Sequence, residues 1–108
     1  GSMTRYAHPE GAYEIDTIPA QPQIAHCHGF FVKPDRRGKG NAHVLKRYQL
    51  ERLAADHYDY ATATVDASNT AQKRVLAKAG FRRLDTFTNS KTCGVTELWG
   101  RTVSTTQE

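Results

Sequence analysis

The chain has 108 residues, a formal net charge of +4 and a hydrophobic share of 38%. That length supports one compact domain with a lean core, one that a partner subunit or a bound cofactor would help complete. No apolar run approaches the ~20 residues that span a bilayer, and the positive charge favours an anionic ligand or a polyanion. Gly1 and Ser2 before Met3 read as an expression scar. Cys27 and Cys93 form neither a CxxC pair nor a disulfide framework, which suits a reducing cytoplasm.

In chain order, residues 3–11 read as a loose leader, interrupted by Pro9 and Gly11. Ala12–Ile18 partly alternates and predicts a strand. Pro19–Pro22 predicts a turn, and Gln23–Val32 a second strand that Pro34 ends. A helix is expected from Gly40 to about His57. Val44, Leu45, Tyr48, Leu50 and Leu53 make its apolar face, and Lys46, Arg47, Glu51 and Arg52 its wet face. Tyr60–Asp66 predicts a third strand. Ser68 or Asn69 suits the cap of a second helix, with Ala71, Val75 and Ala79 as its buried stripe, Leu76 beside them and Gly80 as its stop. Phe81–Phe87 and Thr96–Val103 predict the last strands. Residues 104–108 read as a polar tail, which leaves 3–103 as a single domain. The fold class is therefore α/β, with a mixed, mostly antiparallel sheet and helices packed on it.

The junction between the second strand and the first helix carries the strongest chemistry. There Arg36-Arg37-Gly38-Lys39-Gly40-Asn41-Ala42 places glycines and cations at a helix N-terminus. Unpaired amides and the positive end of the helix dipole suit an anion, and glycines let a phosphate reach the backbone. Alone, such a segment is also what a basic turn at a helix start looks like. It matches neither a P-loop nor a dinucleotide fingerprint. His26 and His28 share a strand face, but no third ligand at a recognisable spacing follows, so no metal is expected.

Val32-x-Pro34-x-x-Arg37-Gly38-x-Gly40-x-Ala42 resembles the acetyl-CoA signature of the GNAT acetyltransferases, Arg/Gln-x-x-Gly-x-Gly/Ala, with Gly40 as its first glycine and Ala42 at its last position. Val65-Asp66-x-x-Asn69, a helix and Ala79-Gly80-Phe81 resemble a second element of that family, in the right order. The resemblance implies a GNAT-like acyl-CoA N-acyltransferase fold, short of most of the N-terminal acceptor-side unit. It implies acetyl-CoA as co-substrate and transfer of acetyl to an amine. Backbone groups of Phe31, Val32 and Lys33 would take the pantetheine arm, and the amides of Arg37, Gly38, Lys39, Gly40, Asn41 and Ala42 the pyrophosphate. Asn69 would meet the pantetheine or cap its helix, and Lys73 or Arg74 would meet the 3′-phosphate. His26, with His28 on the same face, is the candidate general base where histone-directed members carry a glutamate. Leu76 stands where many members place a tyrosine that protonates the CoA thiolate, which puts that step in question.

The acceptor side is expected to be open, which suits a large acceptor such as a protein lysine or an aminoacyl end of RNA, or to be closed by the second subunit of a homodimer. Two other classes stay open: a CoA-binding module without catalysis, and a small basic nucleic-acid binder. The latter needs aromatics on one sheet face, whereas Phe30, Phe31 and Tyr60 read as core.

Overall fold

The structure, a computed structural model, describes residues 3–103. Its elements in order are β1 (Met3–His8), β2 (Gly11–Ile18), β3 (Gln21–Val32), a short 3-10 turn (Pro34–Arg36), α1 (Asn41–Ala55), β4 (Tyr60–Asp66), α2 (Thr70–Lys78), β5 (Arg82–Thr88) and β6 (Val95–Thr102). One six-stranded sheet has the order β1-β2-β3-β4-β6-β5. Among the described residues only β3 and β4 run parallel; every other neighbouring pair is antiparallel. A parallel pair needs a crossover, and α1 supplies it. The expected mixed sheet with helices on it is what forms.

Both helices lie on one face. Ala25 and Cys27 of β3, Tyr13 and Ile15 of β2, and Ala61, Ala63 and Val65 of β4 bury there with Leu45, Leu53, Leu76 and Phe81. Small side chains in mid-sheet let α1 approach closely. The other face carries Glu14, Asp16, His26, His28 and Thr62, all half-buried, and no helix among the described residues packs on it.

Several expectations need correction. Residues 3–8 of the supposed leader form β1, held by the β2 ladder and by Tyr6, which stacks on Tyr13 with ring centroids 5.4 Å apart. The hydrophobic pattern of Met3–His8 is too sparse to show a strand; the ladder decides it. Pro22 lies inside β3 rather than in the turn before it. Lys46, placed on the wet face of α1, is only 2% exposed. Tyr48, placed on the apolar face, is exposed and packs on the His8 ring instead. The buried stripe of α1 runs through Leu45, Lys46, Gln49 and Leu53 rather than through the face the periodicity implies. In α2, Val75 and Leu76 are buried but Ala71 is exposed. Phe31, expected in the core, is 43% exposed. The tail at 104–108 and the scar at 1–2 lie outside the described residues. Among those described, no helix is long and apolar enough to cross a membrane.

Candidate functional site

β3 and β4 pair only from Ile24–Tyr60 to Cys27–Ala63. Beyond that point both strands continue, β3 to Val32 and β4 to Asp66, without bonding each other. The cause is visible in β3. Between His28, opposite Glu14, and Phe31, opposite Ala12, the ladder with β2 shifts register at Gly29 and Phe30. Gly29 has φ +60°, and a Cβ there would run into the Glu14 side chain. The bulge bends β3 away from β4 and turns Phe30 towards α1.

The opened wedge leads into a cleft of about 620 Å³. Phe30, Phe31 and Val32 of β3 form one wall. Arg37, Gly38, Gly40, Ala42 and His43 form the floor, and Asn69, Ala71, Gln72, Arg74 and Val75 of α2 the far wall. Among the described residues no carboxylate lines it, while Arg37 and Arg74 do, so its field favours an anion.

The loop is preorganised by its own side chains. Arg37 Nε donates to the Val32 carbonyl at 2.9 Å, and its guanidinium lies 5.3 Å from the centroid of the Phe31 ring. Asn41 Nδ2 donates to the Arg36 carbonyl at 2.7 Å. Gly38 and Gly40 take left-handed conformations, φ +76° and +78°, and a Cβ on either would meet no protein atom within 4 Å. Gly40 caps α1 without a side chain. Among the described residues no backbone acceptor engages the amides from Gly38 to Ala42; the first such bonds come from His43 and Val44 to the Gly40 carbonyl. Open amides, a helix dipole and two glycines with empty space over them fit a diphosphate.

The structure sorts the expected site residues. Phe31, Val32, Arg37, Gly38, Gly40, Ala42, Asn69 and Arg74 converge on the cleft. Lys33 does not line it, and its amide bonds the Glu10 carbonyl at 2.9 Å. Lys39 Nζ turns back to the Asp35 carbonyl at 3.4 Å, and the Asn41 side chain braces the loop. Lys73 faces away from the cleft, paired with Glu97 at 3.3 Å. The Asn69 side chain accepts from the Gln72 amide at 3.1 Å, so it is an N-cap as well as part of the wall. Phe30, His43, Ala71, Gln72 and Val75 were missed. Ala71, Gln72 and Val75 lie within two turns of Asn69, which was the available signal, but the expected buried stripe claimed Ala71 and Val75 for the core.

His26 and His28 lie on the helix-free face, near the wedge but outside the cleft. Their rings stack with centroids 5.9 Å apart. His26 Nδ1 is 2.9 Å from Thr62 Oγ1, and His28 Nδ1 is 3.1 Å from Glu14 Oε1. Burial, and then repulsion from His28, hold the His26 imidazole below its ordinary pKa, with Asp16 opposing them. His26 is therefore neutral at pH 7 and has a lone pair to offer. A shallow cavity of about 440 Å³ lies beside the pair, lined also by Asp16, Thr17, Ile18 and Pro19.

A parallel wedge opening onto a diphosphate-fitting helix start defines a binder of acyl-CoA. The acetyltransferase (GNAT) domain profile matches residues 11–97. The chain belongs to that family, and it is an N-acetyltransferase that uses acetyl-CoA as donor. No curated protein matches it in sequence.

Solved structures share the fold at low identity. The ribosomal-protein-S18-alanine N-acetyltransferase of Escherichia coli is 14% identical with a TM-score of 0.74, over 98% of this chain and 72% of that one. A Bacillus subtilis acetyltransferase in complex with CoA is 18% identical with a TM-score of 0.75, over 92% and 74%. A chimera of the spermidine N-acetyltransferase SpeG from Vibrio cholerae and hSSAT is 15% identical with a TM-score of 0.78, over 93% and 69%.

Proposed function

We propose that the chain acetylates a primary amine carried on a macromolecule, a protein lysine foremost, with His26 as the base that takes the proton from the attacking nitrogen. The observation that carries this reading is the placement of β3. One strand supplies Phe30–Val32 to the donor cleft and, a few residues earlier, His26 to an open cavity on the opposite face. A wedge between strands connects the two faces, so donor and acceptor approach from opposite sides.

A protein lysine is mostly protonated at neutral pH and needs a base before it attacks. A neutral imidazole beside Asp16 suits that task, because the carboxylate attracts the incoming ammonium and the ring accepts its proton. The helix-free face leaves room for a bulky acceptor. Among structural relatives, the Escherichia coli enzyme is named for a ribosomal protein and the chimera for spermidine, so fold likeness leaves both acceptor sizes open.

Acetyl-CoA should raise the melting temperature by mass action, and free thiol should appear when lysine-bearing peptide is added. Transfer to spermidine but not to peptide would overturn the macromolecular reading. His26→Ala should slow transfer by about 10²-fold or more while leaving the acetyl-CoA thermal shift in place. Parent rates across the pH range would remove His26 from the mechanism. Size exclusion shows whether a second copy covers this face.

A further inference from the structure

Lys46 is buried in α1 at 2% exposure, with no carboxylate beside it among the described residues. Its Nζ donates to Gln49 Oε1 at 2.7 Å. It lies 4.3 Å from the centroid of the Phe30 ring and 5.7 Å from that of Phe81. The Gln49 Nε2 has no partner. The titratable groups around it are the Cys27 thiol from β3, His43 and Arg47 on its own helix, and Lys78 on α2. A position that only filled the core would be better served by leucine, as at Leu45 and Leu53. Burying an ammonium without a counter-ion works against stability.

Its location gives the charge a use. Cys27 is the last residue of β3 that pairs with β4, so the ammonium stands behind the apex of the wedge. Phe30 is a wall of the donor cleft. His43 and Val75 line both that cleft and a second cavity of about 300 Å³ that Lys46 lines.

We propose that the Lys46 ammonium stabilises the CoA thiolate, across the Phe30 wall of the cleft, as acetyl leaves. The acceptor nitrogen bonds the carbonyl carbon, the carbon–sulfur bond breaks, and its electron pair goes to sulfur. The sulfur takes its proton from solvent, which receives in turn the proton the acceptor nitrogen lost to the base. Burial pushes the Lys46 ammonium down to about 8, so at neutral pH it still carries its charge. A thiolate one layer away, in a low dielectric, is the anion this unpaired cation lacks.

The inference rests on CoA occupying the wedge, and its test reads the thiol rather than turnover. CoA is bound to the protein and thiolate absorbance near 240 nm is followed against pH, with desulfo-CoA as the blank. In the parent, bound thiol should ionise about one pH unit below free CoA. In Lys46→Met it should ionise at or above free CoA, and Lys46→Arg should restore most of the shift. Equal midpoints in the parent and Lys46→Met overturn the proposal while leaving the donor site intact. Failure of the parent to bind CoA overturns both. Methionine matches lysine in length and suits a buried site, and should Lys46→Met not fold, the parent's midpoint and that of Lys46→Arg decide: a parent thiol that titrates like free CoA sinks the proposal.

Discussion

α1 and α2 begin on different walls of one cleft, and they begin differently. α2 starts at Asn69, whose side chain accepts from the Gln72 amide. α1 starts at Gly40, in a left-handed conformation with no side-chain cap. The contrast continues inward. α2 buries Val75 and Leu76, whereas α1 buries Lys46 and Gln49 beside Leu45 and Leu53. One helix satisfies itself at its N-terminus and in its core. The other leaves amides open at its start and a charge without a counter-ion a turn later. Where a fold binds an anion, local rules for stability are the ones set aside.

The largest expected effect removes the polar pair from α1. Lys46→Leu with Gln49→Leu should stabilise the chain by about 1–4 kcal/mol, as apolar replacement of buried ionic groups often does, and chemical denaturation measures it. The gain should shrink as pH rises above 8. Lys46 has a folded pKa of about 8, below its ordinary 10.5, so above pH 8 the unfolded parent binds more protons than the folded parent. The parent therefore gains stability with pH, on the order of 1 kcal/mol per unit. Cys27 works in the opposite direction from about pH 9, because burial pushes its thiol up to about 11. Since Cys27 is common to parent and variant, their difference isolates Lys46. A destabilised double variant would show that the pair supports the core and erase the contrast with α2.

Gly40→Ala should act next. A side chain at φ +78° is strained by roughly 1 kcal/mol, and its Cβ would enter the open space over the loop, where a bound diphosphate would lie. Acetyl-CoA affinity should fall about tenfold, worth about 1.4 kcal/mol, by calorimetry. Unchanged affinity would mean that the loop does not hold the diphosphate.

The smallest effect belongs to the capped helix. Asn69→Ala should cost about 1 kcal/mol of stability, with a change in acetyl-CoA affinity of less than about tenfold. The reverse pattern, intact stability and a large loss of affinity, would make Asn69 a ligand group first and a cap second.

Much of the donor half was legible along the chain. The glycines at 38 and 40, Asn69 and Gly80 each declare a local backbone requirement that holds whatever surrounds them, and of the two neighbouring cations Arg37 lines the cleft while Arg36 pairs with Glu10. Gly80 does take φ +88°, and Asn69 does cap. β1 was not legible, because Met3–His8 owes its extended shape to β2 and to the Tyr6–Tyr13 stack. Nor was the division of Lys73 from Arg74. Adjacent on the helix and so about 100° apart around it, one meets Glu97 and the other lines the cleft, and which of the two does so is set by packing rather than by residue type.

The sequence by itself determined the order of elements from β2 onward, the glycine-bearing loop before α1 and the family, since these depend on residue type at fixed local spacing. Tertiary structure decided that β3 and β4 part after Cys27, that His26 and the cleft lie on opposite faces, and that Lys46 is buried. Each depends on how separate elements pack together, and a lysine in a helix has the same local propensity whether its neighbour in space is water or the ring of Phe30.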